Sequence, residues 1–409
     1  MSKRVVVTGM GVISPLGNSI PEYWEAISAG KNGINNISLF DTSDFQVHIA
    51  GESDIDLSTF LDTKLLNKID RFTAFALIAS KQAIKNSNLD INRIQNDRAG
   101  VIIGSGIGGM NTFEAQHKRL LKSPRRVSPF FIPSMIPDIA SGYVALENNF
   151  KGINYSVVSA CASSSHSIGD AYRNIKHGYS DIIIAGGSEA SITPMAIAGF
   201  SNMKALTKNP DFNTASRPFD KNRDGFVISE GAGILILEEL EHAKNRNAKI
   251  YSEIKGFGAT ADAYHITTPH PEAEGAIRSM KSAIKEASLN VNEIEYINAH
   301  GTSTPYNDLT ETKAIKSTFK KDLKNLFISS TKSMIGHSLG ASGALEAIAT
   351  ILTIENSIIT PTINYNTFDP ECDLNYVPNN SLEKPVTNAL SNSFGFGGHN
   401  ATLALGKYN

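Results

Sequence analysis

A strand, a turn of small residues, a helix and a second strand occur twice in this chain, once in each half. In the first copy Asn154–Val158 reads as an apolar strand that leads into ACASSSH, with Cys161 at the turn. Ile168, Ala171, Tyr172 and Ile175 then follow at i, i+3, i+4 and i+7, which is one face of a helix. Lys176 and His177 fall in its last turn, and Gly178 ends it. Ile182–Ala185 is apolar on both faces, as strands of a buried parallel sheet are. In the second copy Leu326–Ser329 is the strand, KSMIGHSLGASG the turn, and Leu345, Ile348, Ala349 and Leu352 the helix face. Ile358 and Ile359 begin the next strand. Further strands are expected at Val5–Thr8, ending at Gly9, and at Ala99–Ile103, closing on GSGIGG. The repetition predicts a duplicated α/β unit, with halves 1–250 and 251–409 meeting near Glu239–Lys255. Ordinary α/β alternation without duplication is the alternative.

The length of 409 residues exceeds one ordinary core, and 41% hydrophobic residues suffice to fill two. A net charge of −2 gives the whole molecule no electrostatic match to nucleic acid or to an anionic membrane, and neither partner is expected. No run approaches the ~20 apolar residues that span a bilayer. The apolar run near the start is too short for a signal-peptide core. Two cysteines cannot form a disulfide framework, so a reducing, cytoplasmic setting is expected.

Cys161 is the first candidate for chemistry. At a helix N-terminus the free N–H groups and the dipole favour an anion. They are expected to draw the thiol down toward a pKa of roughly 3.5–7.5. Small neighbours, Ala160 and Ala162–Ser165, leave room for a substrate. The competing reading is an inert buried thiol, the one assigned to Cys372. INAHGTSTP places His300 at a strand end, followed by the hydroxyls of Thr302, Ser303 and Thr304. A loop histidine that packs locally fits as well. Lys332 and His337 lie in the turn that corresponds to the Cys161 turn, so a pseudo-twofold axis brings the two turns face to face. A lysine near a helix start opposes the dipole and calls for a carboxylate, for which Glu311 is the choice. In SNSFGFGGHNATL, Gly395, Gly397 and Gly398 allow a loop that aims N–H groups at an oxyanion, or a tight turn with no ligand. A dinucleotide reading of GSGIGG lacks its acidic residue on a following strand.

ACASSSH, NAHGTSTP, KSMIGHSLGA and NSFGFGGHN, in that order, resemble the β-ketoacyl-[acyl-carrier-protein] synthases of the thiolase superfamily, in spacing the bacterial synthase II type. The similarity runs from VVVTGMGVISPLG through SRPFDKNRDGFV to the last strand. The resemblance implies a duplicated five-layer αβαβα fold. It implies a Cys161–His300–His337 site, structural and electrostatic roles for Lys332 and Glu311, and an oxyanion hole from the N–H groups of Cys161 and Phe396. Phe396 would gate the acyl chamber, Ile107, Phe200 and Phe226 would line it, and Thr302 and Thr304 would hold a phosphopantetheine arm. The implied reaction is decarboxylative condensation in fatty acid elongation, with no metal or redox cofactor. The implied partners are a second copy of the chain and an acidic acyl carrier protein. The carrier would dock on Lys68, Arg125, Arg126 and Lys204, with Lys122 beside the two arginines. Three rival readings stand beside this one. A biosynthetic thiolase normally uses a second cysteine, where this chain has Phe396. A non-catalytic chain-length partner lacks the nucleophile that Cys161 supplies. A polyketide or aryl-polyene ketosynthase shares the motifs.

Overall fold

Ten strands build one hydrogen-bonded sheet in the computed structural model, which describes residues 2–408. In chain order they are β1 (Val5–Ile13), β2 (Ala99–Gly104), β3 (Asn154–Tyr155), β4 (Ile182–Glu189), β5 (Gly231–Glu239), β6 (Ser252–Ala261), β7 (Tyr296–Asn298), β8 (Phe327–Ser329), β9 (Asn388–Gly395) and β10 (His399–Gly406). The spatial order is β3-β2-β4-β5-β1 followed by β6-β10-β9-β7-β8. Each half therefore has the order third, second, fourth, fifth, first. The directions match too: β3–β2 and β2–β4 are parallel, β4–β5 and β5–β1 antiparallel, and the same sequence holds from β8 to β6. The duplication is thus real at the level of topology. The two halves join where Val5–Val7 of β1 pair with Ser252–Ile254 of β6.

Helices fill three layers around the two half-sheets. The helices α1 (Arg71–Ser87) and α2 (Ile139–Asn148) cover the outer face of the first half, and α4 (Glu274–Glu286) that of the second. Between the half-sheets lie α3 (Ser163–Lys176) and α6 (Ser342–Asn356), which touch each other and strands of both halves. The result is the five-layer αβαβα arrangement. Central packing explains the composition of these helices: every residue of α6 from Ser342 to Ile354 is buried. Apolar residues of α3, α6 and both sheets form one continuous core there. A sixth helix, α5 (Pro305–Phe319), follows β7 in the second half.

Three expected boundaries differ from the structure. The first strand does not end at Gly9 but runs on to Ile13. Gly9 and Gly11 are not turn residues; a Cβ at either would collide with a backbone carbonyl of α1, Ala83 or Ala79. The strand before Cys161 is only Asn154–Tyr155, at the sheet edge, and Val158 is 57% exposed. Ile358 and Ile359 do not enter the main sheet; they pair with Leu382 and Glu383 in a separate ribbon. The fourth strand of the second half is instead supplied by Asn388–Gly395.

Candidate active site

The two central helices point their N-termini at one place. Cys161 sits in a 3₁₀ turn, Ala160–Ala162, that runs directly into α3. The chain enters this turn with Ala160 in the left-handed region, at φ 50°. The Ser163 hydroxyl fastens it by donating to the carbonyl of Ala160 (2.7 Å) and accepting from the N–H of Ser159 (2.9 Å). Lys332 and His337 lie before α6, and His300 follows β7. Nε2 of His337 stands 3.0 Å from Sγ of Cys161. The rings of His300 and His337 lie edge to face, 5.4 Å apart. All three residues are buried, and the donor atoms of the triad lie within 4.8 Å of one another. That spacing also suits a metal ion, but the Lys332 ammonium against the back of His300 opposes a second cation there.

Lys332 sets the proton on His300. Its Nζ lies 3.4 Å from Nδ1 of His300 and donates to the His300 carbonyl at 2.7 Å. An ammonium offers only donors, so Nδ1 keeps its lone pair and Nε2 carries the hydrogen toward the cavity. The carboxylate paired with Lys332 is Glu346 of α6, not Glu311, and both members of that pair are about 1% exposed. Burial pushes the Glu346 carboxyl up to about 7 against the pull of Lys332. Glu311 has a different task. It accepts the backbone N–H groups of His300 (2.9 Å) and Gly301 (2.8 Å) and the amide of Asn392 (3.1 Å), and so fixes the His300 loop.

Electrostatics correct the expectation for the thiol. Burial pushes Cys161 up to about 12, outweighing Lys332 and the N–H groups of Phe396 and of Cys161 itself, which favour the thiolate. The resting sulfur is a thiol beside an imidazole. Burial first, then the Lys332 charge, holds both histidines well below 6.5, so both are neutral. The His337 Nδ1 lies 2.8 Å from the Ser342 hydroxyl. A hydroxyl both donates and accepts, so this partner serves either ring tautomer.

A cavity of about 490 Å³ opens onto the triad. Ile107, Phe200, Phe226, Thr302, Thr304 and Phe396 all line it, as does Lys204. Phe226 packs edge-on against both Phe200 (5.5 Å) and His337 (5.1 Å). The Thr302 and Thr304 hydroxyls lie 2.8 Å apart, and Thr304 also caps α5. Gly395 lies so close to the cysteine turn that a Cβ there would stand 2.8 Å from the Ser159 carbonyl. Lys68, Arg125 and Arg126 do not line the cavity; they are exposed on the surface, with Lys68 5.2 Å from the ring of Phe130. Residues not singled out from the sequence also shape the site: Glu346, Asn392, Ser342, Leu339 and Phe394. Of these, Glu346 had a signal. A lone charge within the apolar run GALEAIATIL of a central helix needs a buried counter-ion.

Known proteins resemble this chain in sequence and fold. Residues 2–243 match the family profile of the β-ketoacyl synthase N-terminal domain, and residues 251–366 that of the C-terminal domain. The 3-oxoacyl-[acyl-carrier-protein] synthase 2 of Staphylococcus aureus (strain COL) is 52% identical over 409 residues, covering 100% of this chain and 99% of that protein. The protein of the same name from Synechocystis is 53% identical over 409 residues, covering 99% and 98%. A type II polyketide ketosynthase, solved with its acyl-carrier protein and bound to a hexaketide, superposes with a TM-score of 0.94 at 34% identity, over the whole of both chains. A β-ketoacyl synthase from Burkholderia phymatum superposes with a TM-score of 0.93 at 36% identity, also over the whole of both chains. The chain belongs to the β-ketoacyl synthase family and is a condensing enzyme, an acyltransferase.

Proposed function

We propose that Cys161, His300 and His337 join an acyl group to malonyl-[acyl-carrier protein], giving 3-oxoacyl-[acyl-carrier protein], CO2 and free carrier protein. This is the condensing step of fatty acid elongation. The observation that carries the reading is the Cys161 thiol, 3.0 Å from a neutral imidazole at the cavity floor. The thiol proton moves to Nε2 of His337 as the sulfur attacks an acyl thioester. The N–H groups of Cys161 and Phe396 hold the oxyanion, and the carrier thiol leaves with that proton. Malonyl thioester then loses CO2. The electrons of the broken C–C bond pass to the thioester oxygen, where the Nε2–H of His300 stabilises the enolate, joined by that of His337 once its ring has changed tautomer and Nδ1 accepts from the Ser342 hydroxyl. Its carbon attacks the acyl-cysteine, a C–C bond replaces the C–S bond, and Cys161 regains a proton that ultimately comes from solvent. These steps call for no resident metal or redox group. The pantetheine arm arrives with the carrier, and the Thr302 and Thr304 hydroxyls suit its amides.

Phe396, flanked by Gly395 and Gly397, is the gate, and Ile107, Phe200 and Phe226 form the acyl pocket. Lys204 stands at the cavity mouth, and with Lys68, Arg125 and Arg126 it offers cations to an acidic carrier. Mass spectrometry of the products from malonyl- and acyl-carrier protein tests the reading; absence of the 3-oxoacyl product would refute it. Reversing Arg125 and Arg126 to glutamate is expected to raise KM for carrier-linked substrates and spare small thioesters. Equal loss for both would exclude docking there.

The working unit is a homodimer. β3 leaves a sheet edge unpaired beside Val158 and Leu146, which are 57% and 77% exposed. Light scattering is expected to give twice the chain mass; a stable, active monomer would contradict this. No helix among the described residues is long and apolar enough to cross a membrane. Two free thiols suit a reducing compartment, and we assign the enzyme to the cytoplasm.

A further inference from the structure

Behind the cavity wall lies a buried carboxylate that the proposed chemistry does not use. Glu189, the last residue of β4, is wholly buried, and no cation pairs with it among the described residues. Five donors hold it instead. One oxygen accepts the backbone N–H groups of Gly106 (2.6 Å) and Gly340 (3.1 Å). The other accepts the Ile107 N–H (3.3 Å) and the hydroxyls of Ser105 (3.1 Å) and Ser191 (3.0 Å). Gly106 and Ile107 belong to GSGIGG, while Gly340 belongs to the loop between His337 and α6. These are the two loops whose side chains Ile107 and Leu339 line the cavity beside Cys161. Burying a carboxylate is costly unless its hydrogen bonds are complete, and here both loops supply them.

We propose that Glu189 is a positioning residue for acyl-chain selection: it clamps the Ile107 loop to the Leu339 loop and fixes the wall that long acyl chains must pass. The inference rests on the acyl-pocket reading above and deepens it. With the N–H groups of Gly106 and Ile107 held, the wall opens only by rotation of the Ile107 side chain. Short chains fit without that opening; long chains require it. The fixed backbone is therefore a length filter.

Glu189→Gln tests the clamp. The glutamine oxygen can still bridge Gly106 and Gly340. Its amide nitrogen then faces the other three donors. The Ser105 and Ser191 hydroxyls can turn to accept from it, but the Ile107 N–H cannot. The variant thus keeps the bridge and releases Ile107. Acylation of Cys161, followed by intact mass over a series of acyl thioesters, is expected to shift toward long chains, the long-to-short rate ratio rising about tenfold. An unchanged ratio, a fall in the ratio, or a uniform loss at every length would overturn the proposal. Ile107→Phe serves as the control and is expected to lower the same ratio. If it does lower it and Glu189→Gln does nothing, the clamp alone has failed. If Ile107→Phe leaves the ratio unchanged, the pocket assignment has failed and the clamp with it. Should Glu189→Gln not fold, Ser105→Ala decides. Ser105 donates to Glu189 and accepts the Gly108 N–H at 3.0 Å, so its loss loosens only the Ile107 side. A smaller shift in the same direction is expected; an unchanged ratio in folded Ser105→Ala would overturn the clamp.

Discussion

Cys161→Gln protein is expected to stop condensing while it continues to release CO2 from malonyl-carrier protein, at or above the wild-type rate. Without sulfur no acyl-enzyme forms, and losing the nucleophile of a covalent catalyst costs on the order of 10⁶-fold. The two imidazoles proposed to face the enolate oxygen remain. A neutral amide also resembles the acylated cysteine, with its carbonyl placed before the N–H groups of residues 161 and 396. The measurement is CO2 release beside product mass on the same folded sample. A variant that neither condenses nor decarboxylates would refute the division of labour between the cysteine and the histidines.

His300→Ala and His337→Ala are expected to separate the half-reactions further. Each removes one donor to the enolate, so CO2 release falls ~10²–10³-fold in both. Only His337 lies against the sulfur, and the thiol is held up at about 12. His337→Ala is therefore expected to slow acylation as well, by ~10²–10⁴-fold, the usual worth of a general base. His300→Ala should leave acylation largely intact. Normal CO2 release in His337→Ala would sink the assignment. The pH dependence has a definite sign. Both histidines are neutral because burial and Lys332 hold them well below 6.5. Wild-type acylation should thus show no inflection at 6.5 and fail only at more acid pH, where His337 can no longer accept the thiol proton. Unfolding frees the imidazoles to bind protons below 6.5, so these two groups make stability fall as pH drops through that value.

Much of this was legible in the sequence, for physical reasons. Apolar residues at helical spacing after Cys161 and after His337 marked the two central helices, because a helix buried between sheets needs such faces. The facing of the Cys161 and His337 turns followed from the repeat, whereas the inclusion of His300 with them followed from the family resemblance. What stayed hidden depended on how the elements pack in three dimensions. Lys332 was matched to Glu311, whereas fourteen residues on, Glu346 comes round one turn inside the next helix and meets it. The helix N-terminus suggested an activated thiolate, but depth of burial decides the outcome and no local pattern reports depth. Gly9 reads as a strand end until α1 is seen lying across it.

The nucleophile stands at the head of α3, whereas His300 follows β7 and His337 precedes α6, both in the other repeat. In the mechanism proposed above, neither repeat holds a complete set of reacting atoms. Turnover therefore reports on the docking of one half against the other: a displacement that leaves every helix and strand intact, and spectroscopic helix content unchanged, would already silence the enzyme.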